Sequence, residues 1–288
     1  TSAALAIPVV YITKEGFKKY FNDALGTFDI EANLFLTPQI RTGKNVVAYI
    51  DNKAAHTVVL GAHVDHLGYN QDKNALDINN DIRNGADDNA SGTAALIELA
   101  KVLNKASKQG DAYNKNNYLI IHFSAEELGL IGSKYWLDNP TIQTNFNYMV
   151  NMDMVGRLDK DKNLTVGGVG SSPIFPDLVK KVKPAGYNIT LDESGVGPSD
   201  HTSFYLKDIP VLFLFTGTHA DYHKPSDDSD KINFDGVKTI TQYVFSIANE
   251  VSQKAEIPFT KTKTTSTKSV PKYKVTLGIM PSYADTKD

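Results

Sequence analysis

The sequence contains no cysteine. Disulfides and thiolate metal centres are therefore excluded, and any metal has to be held by imidazole and carboxylate groups. An excess of one charge is also missing: 30 Lys and Arg stand against 33 Asp and Glu, a net charge of −3. That balance removes the electrostatic argument for nucleic acid or an anionic membrane surface as partner. No apolar run is long enough to span a bilayer. Arginine is scarce, with Arg41, Arg83 and Arg157 the only three, and Trp136 is the single tryptophan. The remaining composition, 41% hydrophobic and 22% charged over 288 residues, is that of a globular chain of one or two domains. An absence of cysteine fits an exported bacterial protein, so the expected compartment is periplasmic or extracellular.

Hydrophobic periodicity predicts strands alternating with helices. Residues 5–13 read as a strand, 14–21 as a short amphipathic helix, and 29–38 and 45–51 as two strands joined by a turn at 41–44. Residues 57–63 hold a run, Val58 to Leu60, that is apolar without alternation, as in a strand covered on both faces. A helix is predicted from Ser91 to about Ser107, strands over 118–123, 147–152, 164–166 and 210–215, and helices over 131–137, within 172–185, and over 236–254. This order predicts an α/β fold with a largely parallel central sheet.

The motifs that carry chemistry fall where the predicted strands end, the edge at which open α/β sheets bind ligands. Residues 85–92 read Gly-Ala-Asp-Asp-Asn-Ala-Ser-Gly. Their two aspartates stand at the mouth of a helix, and a carboxylate there has two oxygens with which to bridge two cations. An isolated Asp-Asp is also an ordinary helix cap. His63-Val64-Asp65 follows the 57–63 strand, and alternation places His63 and Asp65 on one face, where the carboxylate can take the second imidazole N–H. Glu126-Glu127 ends the next strand. Neighbouring side chains diverge, so one can bind a metal while the other faces a reacting water. Asp153 stands among Met152, Met154 and Val155, where an unpaired charge is costly without a cation or strong donors. His223 lies in a polar loop after the 210–215 strand. Together these residues read as one site: Asp87 bridges, His63 and Asp153 complete one metal position, and Glu127 and His223 complete the other. The imidazole and carboxylate donors favour zinc. Four carboxylates, Glu126 included, would then face two dications.

This set of motifs, with Ala-Glu-Glu-Leu-Gly at 125–129, Asn-Met-Asp-Met at 151–154 and Tyr-His-x-Pro-x-Asp at 222–227, resembles the di-zinc aminopeptidases of metallopeptidase family 28. The resemblance covers residues 45 to 250. It implies the zinc-exopeptidase fold, a three-layer α/β/α sandwich with a mixed, largely parallel sheet. It also implies two Zn²⁺ ions per chain and hydrolysis of N-terminal residues from peptide substrates. By the resemblance Asp87 is the bridging ligand, Glu126 the general base and Asp65 the partner of His63. The Asp87–Asp88 peptide is expected to be cis. His201 is a weaker candidate for a contact to the oxyanion or the substrate.

The ends carry fainter likenesses. Residues 7–13 with the helix that follows resemble the closing segment of a protease-associated domain, and 275–281 resemble the opening strand of a PDZ domain. The expected organisation is an N-terminal segment over 1–44, a peptidase domain over 45–258, and a Lys/Thr-rich linker with a lone strand over 259–288. Three rivals share the motif set. A carboxypeptidase or dipeptidase needs a cation for the substrate carboxylate. A glutaminyl cyclase has tryptophan where Tyr222 stands. A receptor-type homologue without activity typically lacks ligands.

Overall fold

The computed structural model describes residues 12–21, 40–69, 74–77, 81–109, 114–252 and 256–262. The chain divides into two compact units, Thr1–Thr42 and Gly43–Asp288.

In the first unit the described element is helix α1, Lys14–Tyr20. The Thr13 side chain caps it by accepting a hydrogen bond from the Gly16 amide at 3.1 Å. Lys18 and Lys19 occupy its last turn, where the helix dipole favours positive charge. The strand expected over 5–13 lies outside the described residues apart from its last two positions, which are not in a strand. The strand expected over 29–38 lies wholly outside them, as does the lone strand at 275–280.

The second unit is built on a seven-stranded sheet: β1 Val46–Ile50, β2 Thr57–His63, β3 Asn117–Phe123, β4 Phe146–Met152, β5 Asn163–Gly167, β6 Asn188–Leu191 and β7 Val211–Phe215, in the order β1-β3-β2-β4-β7-β5-β6. Strands β3, β2, β4 and β7 run parallel. The edge strand β1 is antiparallel to β3, and the β5–β6 pair runs antiparallel to β7. This is the mixed, mostly parallel sheet expected. Every residue of β2 is buried, which accounts for its unbroken apolar sequence.

Helices cover both faces and form the outer layers. On one face α2 (Gly92–Ser107), α4 (Phe175–Lys181) and α6 (Phe234–Ser252) pack over Val58, Leu60, Tyr118, Tyr148 and Val150. The buried stripe of α2 is Ala95, Leu96, Leu99, Leu103 and Ala106, the three-and-four spacing of one helical face. Each such leucine contributes about 1.5–3 kcal/mol on burial. On the other face α3 (Ile131–Asp138) and α5 (His201–Tyr205) bring Trp136 and Phe204 against Val59, Leu119, Phe123 and Phe146. Among the described residues, no helix is long and apolar enough to cross a membrane.

The helix expected within 172–185 is α4, which ends before Pro184, a residue that restricts its predecessor to extended backbone. Two local features were not anticipated. Strand β6 and the five-residue α5 were too short for periodicity to show. Residues 260–262, expected to begin a linker, are tied down: the Thr260 amide donates to the Ser171 carbonyl and the Thr262 amide to the Tyr205 hydroxyl, both at 2.8 Å.

Candidate metal centre and active site

Four parallel strands deliver the site. His63 is the last residue of β2, Glu126 and Glu127 follow β3, Asp153 follows β4, and the loop carrying His219 and His223 follows β7. Asp88 comes from the irregular turn Ala86–Ser91 that leads into α2. The turn opens at Gly85 with φ 62°, and a Cβ there would lie 2.2 Å from the Asp88 carbonyl and 2.4 Å from the His66 ring. Only glycine fits both the conformation and the space.

Two groups of metal-competent atoms meet at Asp88. His63, Asp88 and Asp153 present ligand atoms within 4.8 Å of one another, and so do His66, Asp88 and Glu127. His63 Nε2 lies 3.2 Å from Asp88 Oδ1 and 3.3 Å from Asp153 Oδ1. His223 Nε2 lies 3.2 Å from both Asp88 Oδ2 and Glu127 Oε2. Ligands at the ~2.0 Å bond length of zinc in a tetrahedron stand about 3.3 Å apart. The four separations match that edge, and the two oxygens of Asp88 face different groups. His223 Nε2 is buried without a hydrogen-bond partner, as a ligand atom awaiting an ion would be. The donor set therefore fits zinc on the structure's own geometry.

Asp88, rather than Asp87, occupies the bridging place. The Asp87 carboxylate turns away and accepts hydrogen bonds from the Gly156 amide at 2.6 Å and the Ser91 hydroxyl at 3.0 Å. The cis peptide likewise falls one residue later than expected, at Asp88–Asn89. Adjacent aspartates point to opposite sides of the turn, and composition alone does not say which one faces the strand ends.

Two further expectations are corrected. The chain leaves the strand at His63, so the His63 Nδ1–H donates to the main-chain carbonyl of Asp65 at 3.0 Å, while the Asp65 carboxylate stands 3.8 Å away. That carboxylate accepts the amides of Glu126 and Glu127 at 3.1 and 3.3 Å and so fixes the turn after β3. His201 is fully buried and stacked on Phe213 at 4.4 Å, and burial pushes its pKa down to about 3. Its ring packs against the sheet through Phe213.

His66 was not singled out in the sequence. Its Nδ1 lies 2.8 Å from Glu127 Oε1. The signal was a second imidazole three residues after His63, in the loop that β2 feeds. Asn74 is another such residue: its amide donates to the Glu127 carbonyl at 2.8 Å, and its own carbonyl accepts from His223 Nδ1 at 3.1 Å. That second bond leaves Nε2 as the free nitrogen of His223.

The electrostatics are those of crowded carboxylates and imidazoles without a metal. Burial pushes the Glu126 pKa well up, and the neighbouring Asp153, Asp200 and Glu127 add to it against the opposing pull of His63. Burial also raises Asp153 and takes Asp200 up to about 7. For Asp88, burial is outweighed by the adjacent imidazoles of His223 and His63, which hold its carboxyl below the usual range. Burial opposes charge on His223, but Asp88 and Glu127 raise its pKa to about 10.

Comparisons with known proteins agree with this architecture. Leupeptin-inactivating enzyme 1 of Streptomyces exfoliatus is 29% identical over 194 residues, covering 66% of this chain and 39% of that protein. Aminopeptidase YwaD of Bacillus subtilis is 26% identical over 275 residues, covering 89% of this chain and 54% of its own length. The crystal structure of the Legionella pneumophila LapA aminopeptidase superimposes with a TM-score of 0.58 at 25% identity, over 74% of this chain and 56% of that one. The chain thus spans 39 to 57% of the length of the curated relatives it matches. The family model described as peptidase family M28 matches residues 45–248, the span that contains every strand of the sheet and every group of the site, and the chain belongs to that family.

Proposed function

We propose that the chain is the catalytic part of a zinc-dependent aminopeptidase that hydrolyses N-terminal residues from peptides. The observation that carries this reading is the Asp88 carboxylate, each oxygen of which faces a different metal-competent group at zinc-tetrahedron separations. His63 and Asp153 would hold one ion, Glu127 and His223 the other, with Asp88 between them and His66 orienting Glu127. Zinc bound there supplies an acidified water and offsets the negative charge that develops on the scissile carbonyl oxygen. Glu126 is the general base: it takes the proton of the attacking water and returns a proton to the leaving amine. The buried setting that raises its pKa suits both steps.

The names of the relatives favour aminopeptidase over carboxypeptidase chemistry. So do two of the three arginines. Arg83 is buried, paired with Asp77, and donates to the Asp81 carbonyl at 2.9 Å. Arg157 is paired with Asp221 at 2.8 Å. Neither is offered to a substrate carboxylate. An exported location, periplasmic or extracellular, accords with the absence of cysteine.

The test is a panel of aminoacyl-arylamides beside their N-acetylated counterparts and peptides with a free C-terminus, run on metal-free and zinc-loaded protein. Hydrolysis confined to free N-termini and dependent on zinc is expected. Equal hydrolysis of N-acetylated substrates, or full activity without metal, would refute the reading.

A further inference from the structure

Asp87 is a buried carboxylate that the proposed chemistry does not use, and its contacts are unusual in what they join. Oδ1 accepts the Gly156 amide at 2.6 Å and the Ser91 hydroxyl at 3.0 Å, while Oδ2 lies 3.1 Å from His219 Nε2. Gly156 is three residues beyond Asp153. His219 is four residues before His223. Asp88 is the next residue. One side chain therefore ties together three chain segments that carry proposed metal ligands. The fit is close: a Cβ on Gly156 would stand 2.8 Å from Asp87 Oδ1 and 2.9 Å from both Ser91 and Ile232. The Ser91 hydroxyl also accepts the Val155 amide at 3.0 Å, a second link to the Asp153 segment.

The backbone of the same turn is held from the other side. Asp227 Oδ2 accepts the amides of Asp87 at 2.9 Å and Asp88 at 3.1 Å, and its carbonyl accepts the Ala86 amide at 3.1 Å. Asp227 is fully buried and lies four residues after His223. The β7 loop thus grips the Asp88 turn twice, through His219 and through Asp227, with His223 midway between the two grips.

We infer that Asp87 is a positioning residue for the metal pair, whose carboxylate, with Asp227 opposite, sets the distance of Asp88 from Asp153 and His223. It is not itself a ligand, because every contact of its oxygens is to a donor outside the metal-competent groups. This inference rests on the reading of Asp88 as bridging ligand. A preorganised site binds metal more tightly because the ligands need not be drawn together on binding. Loss of an outer partner of this kind typically lowers metal affinity by ~10–100-fold.

The experiment is zinc titration against a chromophoric chelator, with melting of the metal-free protein, on Asp87→Ala, Asp87→Asn, His219→Ala and Asp88→Asn. Asp87→Ala should weaken zinc binding by ~10–100-fold, while Asp87→Asn, which keeps an oxygen for Gly156 and Ser91, should stay within several-fold of the parent. His219→Ala removes one tie at a partly exposed position; it should weaken zinc binding several-fold and leave the metal-free melting temperature unchanged. If Asp87→Ala does not fold, this variant decides alone. Parental zinc affinity in His219→Ala and in any folded Asp87→Ala, even with a lower melting temperature, would overturn the inference and leave Asp87 merely structural. Loss of a whole zinc equivalent in Asp87→Asn would overturn it in the other direction, making Asp87 a ligand. Asp88→Asn separates the underlying reading: parental zinc stoichiometry and affinity in that variant would refute the bridging role of Asp88 itself.

Discussion

Replacing Glu126 and Glu127 in turn by glutamine separates proton transfer from metal binding at two neighbouring positions. Glu126 is half-buried, and glutamine has nearly the same volume, so no cavity is made and a folding penalty of the large-to-small kind does not arise. What Glu126→Gln removes is the ability to accept a proton. Loss of a general acid–base group lowers the rate constant ~10²–10⁴-fold, equivalent to about 2.7–5.4 kcal/mol of barrier at ~1.36 kcal/mol per tenfold. Zinc content should stay at the parental level. Glu127 is different: its oxygens face His66 Nδ1 at 2.8 Å and His223 Nε2 at 3.2 Å. Glu127→Gln takes an anionic donor out of that group and should lower zinc affinity by more than the ~10–100-fold expected of an outer contact. The assay pairs metal analysis after dialysis with steady-state kinetics in saturating zinc. If Glu126→Gln loses zinc while Glu127→Gln keeps it, the two roles are reversed and the assignment is wrong.

Three other outcomes are expected. Chelation should lower the melting temperature and zinc should restore it, because ions bind only the assembled site; at 100 times its dissociation constant a ligand adds about 2.7 kcal/mol, and an unchanged melting curve in verified metal-free protein would contradict this. His201 has a depressed pKa, about 3, so below the unfolded value of ~6.5 the unfolded chain binds the proton and the folded chain does not. Stability is full above ~6.5 and is lost as pH falls toward 3, by up to ~1.36 kcal/mol per pH unit. Denaturant titrations between pH 7.5 and 4.5 should show that slope in the difference between parent and His201→Gln, and an unchanging difference would refute it. Leu99→Ala, at a fully buried position of α2, should lower unfolding free energy by about 2–5 kcal/mol, measured by urea titration, and a change under 1 kcal/mol would show that the α2 face is not tightly packed.

Much of this was legible in the chain. The continuous apolar run of β2 announced a central strand, and the positions of His63, Glu126, Glu127 and Asp153 at strand ends could be read before any coordinate was known. Finer detail was lost where single-residue geometry decides. Asp87 and Asp88 are chemically identical, and only the left-handed Gly85 and the donors waiting at Gly156 and Ser91 send the first away from the strand ends and the second toward them. Period-two alternation placed Asp65 beside His63, but alternation ends with the strand, and the main-chain carbonyl took the imidazole proton instead. His66 was passed over because a histidine in a loop carries no pattern of its own. The short α5 and β6 hold too few residues for a period to emerge, and their state is set by what they pack against.

The order of strands in the sheet has a consequence for how the site comes into being. Among the described strands β7 comes last in the sequence, but it lies inside the sheet, between β4 and β5. As the chain emerges from the ribosome, β1 to β4 can pair among themselves, yet one edge of β4 stays unpaired and the β5–β6 pair has nothing to join. The arrival of residues 211–215 closes both gaps at once. The same strand carries His219, His223 and Asp227 in the loop that follows it. Sheet completion and delivery of the last imidazole therefore depend on the same segment. Any chain that stops short of residue 211 lacks both the pairings that close the sheet and the histidines of the loop after β7.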